Sequence, residues 1–99
     1  EGKLSASSAE KAAFVAPKMR ESFRMALDAG VPIALGTDAG VFGHGENARE
    51  FELMVQLGMT PMQAIQAATV NAADLLGWSD RVGRVAPGYY ADIIAVDGD

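Results

Sequence analysis

The sequence predicts an α/β fold that is incomplete by itself, and three observations lead there. Residues 31–38, Val-Pro-Ile-Ala-Leu-Gly-Thr-Asp, form a short run that is apolar on both faces. A strand buried in a parallel sheet reads this way, whereas a half-solvated strand alternates. The run follows an amphipathic helix through one joint residue, Gly30, as in repeated β/α units. It is also the one run of its kind in 99 residues, so the strand is predicted without neighbours on either edge. Each buried backbone group left unpaired costs roughly 1–3 kcal/mol. The expectation is a fragment, or a chain that folds with a partner. The opening Glu1-Gly2-Lys3, without methionine, agrees with a cut or processed end.

The elements follow in order. Ser7 and Glu10 have capping-box spacing, which satisfies two orphan amides at a helix start. A helical pattern then runs to Ala29, with Met19, Phe23, Ala26 and Leu27 on one stripe and Arg20, Glu21, Arg24 and Asp28 opposite. Pro17 predicts a kink, or a first helix ending near Val15 and a second starting at Pro17. Gly30 is the expected residue just past the C-terminus. After the strand at 31–38, residues 39–45 carry three glycines in seven positions and read as a loop. Asn47 and Glu50 repeat the capping-box spacing and open a helix over 47–57, with Phe51, Met54 and Val55 on its stripe and Ala48 beneath. Gly58 ends it. Thr60-Pro61-Met62-Gln63 places threonine at N-cap, proline at N1 and glutamine at N3 of a helix over 61–76. Its stripe is Ile65, Ala68, Thr69, Ala72, Leu75 and Leu76, and Gly77 stops it. From Arg81 the β-formers Val82, Val85, Tyr89, Ile93, Ile94 and Val96, punctuated by Gly83 and Pro87-Gly88, predict a hairpin of strands 82–86 and 91–96.

Composition narrows the function. Thirteen acidic against eight basic residues give a net charge of −5, and the basic residues are scattered. Nucleic acid and anionic membranes want clustered Lys and Arg, so neither is the expected partner. Zero cysteines exclude a disulfide scaffold, a thiol nucleophile and a Cys-based zinc site. One histidine excludes the multi-histidine metal sites of most metallohydrolases within this chain alone. No apolar run approaches the roughly 18 residues of a membrane span, and no signal peptide opens the chain, which is compatible with a cytoplasmic protein.

Asp38 is the first candidate for chemistry. It stands at the C-terminal end of the expected strand, followed by the glycine-rich loop. In β/α barrels the catalytic residues sit at that end, where loops converge. A carboxylate there can bind a hard or borderline metal, or accept a proton from a metal-bound water. The alternative is an aspartate that closes an Asx-turn in the loop. His44, between Gly43 and Gly45, is a candidate substrate contact, metal ligand or proton carrier. Its plain alternative is a surface histidine bonding the loop backbone. Glu46, Asn47 and Glu50 read as capping and dipole-matching residues. Met54, Met59 and Met62 read as core filling, and Trp78, Tyr89 and Tyr90 as packing near the hairpin.

The ordered series Gly30-Val31, Gly36-Thr37-Asp38-Ala39-Gly40, His44-Gly45 and Asn47-Ala48-Arg49-Glu50 resembles the amidohydrolase superfamily, in its imidazolonepropionase-related and Xaa-Pro dipeptidase-like branch. It continues through Gly58-Met59-Thr60-Pro61-Met62-Gln63-Ala64, Ala67-Ala68-Thr69, Asn71-Ala72-Ala73, Leu76-Gly77, Val82-Gly83, Pro87-Gly88 and Ala91-Asp92-Ile93. A lone Gly-Thr-Asp is a weak motif, whereas the series spans about residues 20–97.

The resemblance implies that residues 1–80 are the C-terminal part of a (β/α)8 barrel, with 31–38 as its eighth strand. Residues 81–99 would belong to a small β-sandwich domain built from both chain ends. It implies that Asp38 is the strand-end aspartate, which in the family binds a divalent metal, often zinc. That aspartate takes a proton from the water attacking an amide carbonyl and passes it to the leaving nitrogen. His44 matches a His-Gly on the substrate side. The implied substrate is a small molecule such as a dipeptide or an N-acyl amino acid, with a cyclic amide as a weaker possibility. The implied partners are the rest of the barrel or another chain, in an assembly that is often a homo-oligomer. The family's His-x-His, its bridging lysine or glutamate and its two later strand-end histidines have no counterpart here. Lys11 and Lys18 lie on solvated helical positions. Hydrolysis is therefore expected of the full-length enzyme and not of the isolated chain. The competing reading is a non-catalytic, self-associating module with no bound metal.

Overall fold

The computed structural model describes residues 5–40, 43 and 45–98. They fall into two units, divided between Val31 and Pro32.

The first unit is one long helix, α1, Ala6–Asp28. Its N-cap is Ser5, whose hydroxyl accepts from the Ser8 amide at 3.2 Å. The expected Ser7–Glu10 box is thus replaced by the same chemistry two residues earlier. The helix runs through Pro17 as one element, which excludes the second of the two expected outcomes, a division there. Proline here deletes one amide donor, and the turns on either side hold the helix together. On the expected stripe, Phe23, Ala26 and Leu27 are half-buried while Met19 is exposed. No α1 residue is fully buried.

The second unit starts with residues 32–40, which are held by two bonds from the helices that follow. The Leu35 amide donates to the Ala67 carbonyl at 2.9 Å, and Asn71 Nδ2 donates to the Ile33 carbonyl at 3.0 Å. A 3-10 turn, Glu46–Ala48, leads into α2, Arg49–Gln56. Helix α3, Pro61–Ala68, has the expected capping box: Thr60 Oγ1 accepts from the Gln63 amide, and Gln63 Oε1 accepts from the Thr60 amide. Helix α4, Val70–Leu75, follows at once.

The single helix expected over 61–76 is therefore two. At Thr69 the backbone leaves the helical region (φ −121°, ψ −90°), and its hydroxyl donates back to the Ile65 carbonyl at 2.8 Å. Such i−4 back-bonding competes with the helical ladder and bends helices. The break also frees the Ala67 carbonyl to accept from Leu35. Gly30, Gly58 and Gly77 end α1, α2 and α4 at φ of 71°, 119° and 70°. Each makes the paired Schellman bonds, for example Gly58 N to Val55 O and Met59 N to Met54 O.

Met54, Met59, Ala64, Ala67 and Ala73 are the buried apolar residues. Small alanines let α2, α3 and α4 approach closely. The larger residues of the expected 61–76 stripe point elsewhere: Leu75 is 77% exposed and Leu76 72%. An apolar groove of about 880 Å³ opens between Phe51 and Val55 of α2, Ile65 and Ala68 of α3, and Ile94 and Val96.

Among the described residues there is no strand. The segment at 31–38 and the two arms at 82–86 and 91–96 are turns and irregular backbone, correcting the expected strand and hairpin. One cross-bond, Tyr90 N to Arg81 O at 2.9 Å, joins the residues that precede the two arms, and Tyr89 Oη donates to the Ser79 carbonyl. The physical reason is that a strand exists through its ladder. A segment rich in β-formers has no sheet to join when its neighbours are missing.

Candidate functional site

The site is built around the end of the 32–40 segment. Asp38 has φ of 46°, the one positive φ outside glycine among the described residues. Aspartate tolerates the left-handed region better than most side chains, but a non-glycine residue there still costs on the order of 1–3 kcal/mol. Such a conformation persists where its surroundings hold it. The Asp38 carboxylate is exposed and takes part in no hydrogen bond or ion pair among the described residues. It therefore does not close the Asx-turn considered as its alternative role.

The preceding residue is anchored. Thr37 is half-buried, and its hydroxyl accepts from Asn47 Nδ2 at 2.7 Å. Asn47 Oδ1 in turn accepts from the Gly45 amide in a long contact of 3.4 Å. One side chain thus ties the residue before the glycine-rich loop to the residue at its end. Gly45 has φ of 97°, a conformation open to glycine, and the Glu46 amide donates to the Gly43 carbonyl at 3.2 Å. A cleft of about 240 Å³ lies alongside, lined by Thr37, Glu46, Asn47, Arg49, Glu50 and Leu53.

Asn47 is not the N-cap expected from its spacing to Glu50. Gly45 occupies the N-cap position of the 3-10 turn, and Asn47 lies inside that turn. Its partner Thr37 is ten residues away, a contact that no local spacing discloses. Glu46 and Glu50 do lie in the first turns of their helices, where a negative charge suits the dipole. His44, the expected substrate-side residue, lies outside the described residues.

A carboxylate such as Asp38 is a suitable donor for a divalent metal, but one donor is not a site. Among the described residues no three His, Asp or Glu side chains gather where they could hold a metal ion. A catalytic zinc takes about three protein ligands. The described residues alone do not fit a complete metal centre. No helix among the described residues is long and apolar enough to cross a membrane.

The chain is similar to known proteins over most of its length. The chain is 42% identical to ochratoxinase from Aspergillus niger over 79 residues, covering 78% of this chain and 16% of that protein. It is 36% identical to imidazolonepropionase from Geobacillus kaustophilus over 84 residues, covering 82% of this chain and 20% of that one. A solved Xaa-Pro dipeptidase with methionine bound in its active site superposes with a TM-score of 0.87 at 49% identity, over 93% of this chain and 23% of its own. The chain thus spans less than a quarter of the length of each of these proteins. The amidohydrolase family pattern matches residues 3–99. With that pattern matching residues 3–99, the chain belongs to the amidohydrolase family, whose members are (β/α)8 barrels that generally depend on a metal.

Proposed function

We propose that the chain is a portion of a metal-dependent hydrolase that cleaves a C–N bond of the amide or peptide kind, with Asp38 as its strand-end carboxylate. The observation that carries this is Asp38 itself: exposed, without a hydrogen bond among the described residues, and at φ of 46° in a chain that superposes on a solved dipeptidase over 93% of its length. In this reading residues 31–38 and 82–97 become strands only beside the rest of the barrel and sandwich. The open groove between α2, α3 and Ile94 supports the same view, because large apolar side chains left facing water mark a surface made to be covered.

Asp38 would be one of several ligands of a divalent metal, zinc in the reading made from sequence, and the remaining ligands would come from outside these 99 residues. Bound there, the metal supplies Lewis acidity toward water and carbonyl oxygen. The Asp38 carboxylate holds the proton released by the attacking water and hands it to the leaving nitrogen. His44 would face the substrate. A dipeptide or an N-acyl amino acid is the preferred substrate class, supported by the likeness to a dipeptidase holding methionine. We place the protein in the cytoplasm, as a possible homo-oligomer, without nucleic-acid or membrane partners.

The test is hydrolysis of a dipeptide and N-acyl amino acid panel by the full-length protein, before and after chelation. The expected result is loss of turnover on chelation and its return with added zinc. Turnover that survives complete metal removal would overturn the proposal. The competing reading, a self-associating module, is favoured by the same apolar groove, and it predicts no hydrolysis by any form of the protein.

A further inference from the structure

We infer that Asn47 is a positioning residue: through the Thr37 hydroxyl it holds Asp38 in the left-handed conformation from which its carboxylate acts. This rests on the role proposed for Asp38. Three observations meet at this side chain. Asn47 Nδ2 reaches Thr37 Oγ1 at 2.7 Å, the shortest of the side-chain hydrogen bonds among the described residues and one of the few that are part-buried. Thr37 is the residue immediately before the one non-glycine at positive φ. The other end of the same amide accepts from Gly45, so Asn47 spans both ends of the loop that follows Asp38.

Something other than the described hydrogen bonds of its own side chain keeps Asp38 at positive φ, since its carboxylate has no bonded partner among the described residues. Gly40 and the loop beyond it offer glycine freedom, which favours no single conformation. Upstream, the segment is fixed at Ile33 and Leu35 by Asn71 and Ala67. Between Leu35 and the loop, Asn47 supplies the one hydrogen-bonded anchor among the described residues. Without it, residues 36–40 would be free to relax toward an ordinary φ, and the carboxylate would swing with the backbone.

Asparagine suits the task for a chemical reason. Its amide offers a donor on one side and an acceptor on the other, matching a hydroxyl oxygen and a backbone N–H at once. Leucine has a similar shape and neither group. On the Thr37 side, valine keeps the branched shape and loses the hydroxyl, whereas serine keeps the hydroxyl.

The experiment uses the full-length enzyme and four variants: Asn47→Leu, Thr37→Val, their combination, and Thr37→Ser, with Asp38→Ala as reference. Misplacement of a reacting group by about 1 Å can lower a rate about a hundredfold. We expect kcat to fall roughly 10- to 100-fold in Asn47→Leu and in Thr37→Val, with KM within about twofold. The double variant should be no slower than the worse single one, because both remove the same bond. Thr37→Ser should recover most of the rate. A crystal structure of full-length Asn47→Leu should find residue 38 at negative φ. Additive losses, unchanged kcat, no recovery with serine, or residue 38 still near 46° in the variant would each overturn the inference. If Asn47→Leu and Thr37→Val both fail to fold, the pair is structural and the positioning role is wrong. The reading beneath it fails separately, if Asp38→Ala keeps its rate.

Discussion

Gly83 offers a prediction whose magnitude can be worked from the structure. It has φ of 87°, and a Cβ built on it would meet the Thr69 carbonyl oxygen at 2.8 Å and Ala73 Cβ at 2.9 Å. Neither neighbour can easily yield: one is backbone at the α3–α4 break, and Ala73 is only 3% exposed. Gly83→Ala therefore incurs two costs, about 1–2 kcal/mol for a non-glycine residue in left-handed geometry and about 1–3 kcal/mol for overpacking. Gly88 separates them, because its φ of 88° is nearly the same while nothing lies within 4 Å of its Cβ position. Gly88→Ala carries the conformational cost alone. The assay is urea unfolding of the full-length protein followed by circular dichroism. The midpoint should fall slightly for Gly88→Ala and further for Gly83→Ala, the two variants differing on the order of 1 M urea for a gap of a few kcal/mol. Equal midpoints would refute the argument that close approach to Thr69 and Ala73 requires glycine.

Two further outcomes follow from the local geometry and the open faces. Thr60→Ala removes the hydroxyl that accepts from the Gln63 amide and should destabilise by about 1 kcal/mol, with Thr60→Ser close to the parent by the same denaturation assay. The 99-residue chain produced alone should be inert toward the substrate panel and bind no stoichiometric zinc by elemental analysis. Hydrolysis or tight zinc binding by that chain would mean that its own residues complete the site.

Helix termini were the most legible part of the fold, because their signals are local. Gly30, Gly58 and Gly77 end the helices that their positions suggested, and Thr60 with Gln63 forms the capping box that their spacing suggested. Where two residues offered the same chemistry the choice was less visible: Ser5 caps α1 in place of Ser7. The strand and hairpin are not formed among the described residues for the opposite reason. The β-character of residues 31–38 and 82–96 is real in composition, but a ladder is made with distant partners, and the described residues contain none. The break at Thr69 was hidden because a threonine inside an apolar stripe reads as helix until its hydroxyl is seen on Ile65. At the candidate site, Asp38 drew attention through its place after an apolar run, and its positive φ was not visible there. Nor was the Asn47–Thr37 bond, which joins residues ten positions apart.

If Asp38 carries the chemistry of a larger enzyme, the turnover of full-length Asp38→Ala shows it. The carboxylate is exposed and has no bonded partner among the described residues, so its removal should leave the circular dichroism spectrum unchanged. The account predicts a fall in kcat of several orders of magnitude in this folded variant. A rate near that of the parent would contradict it.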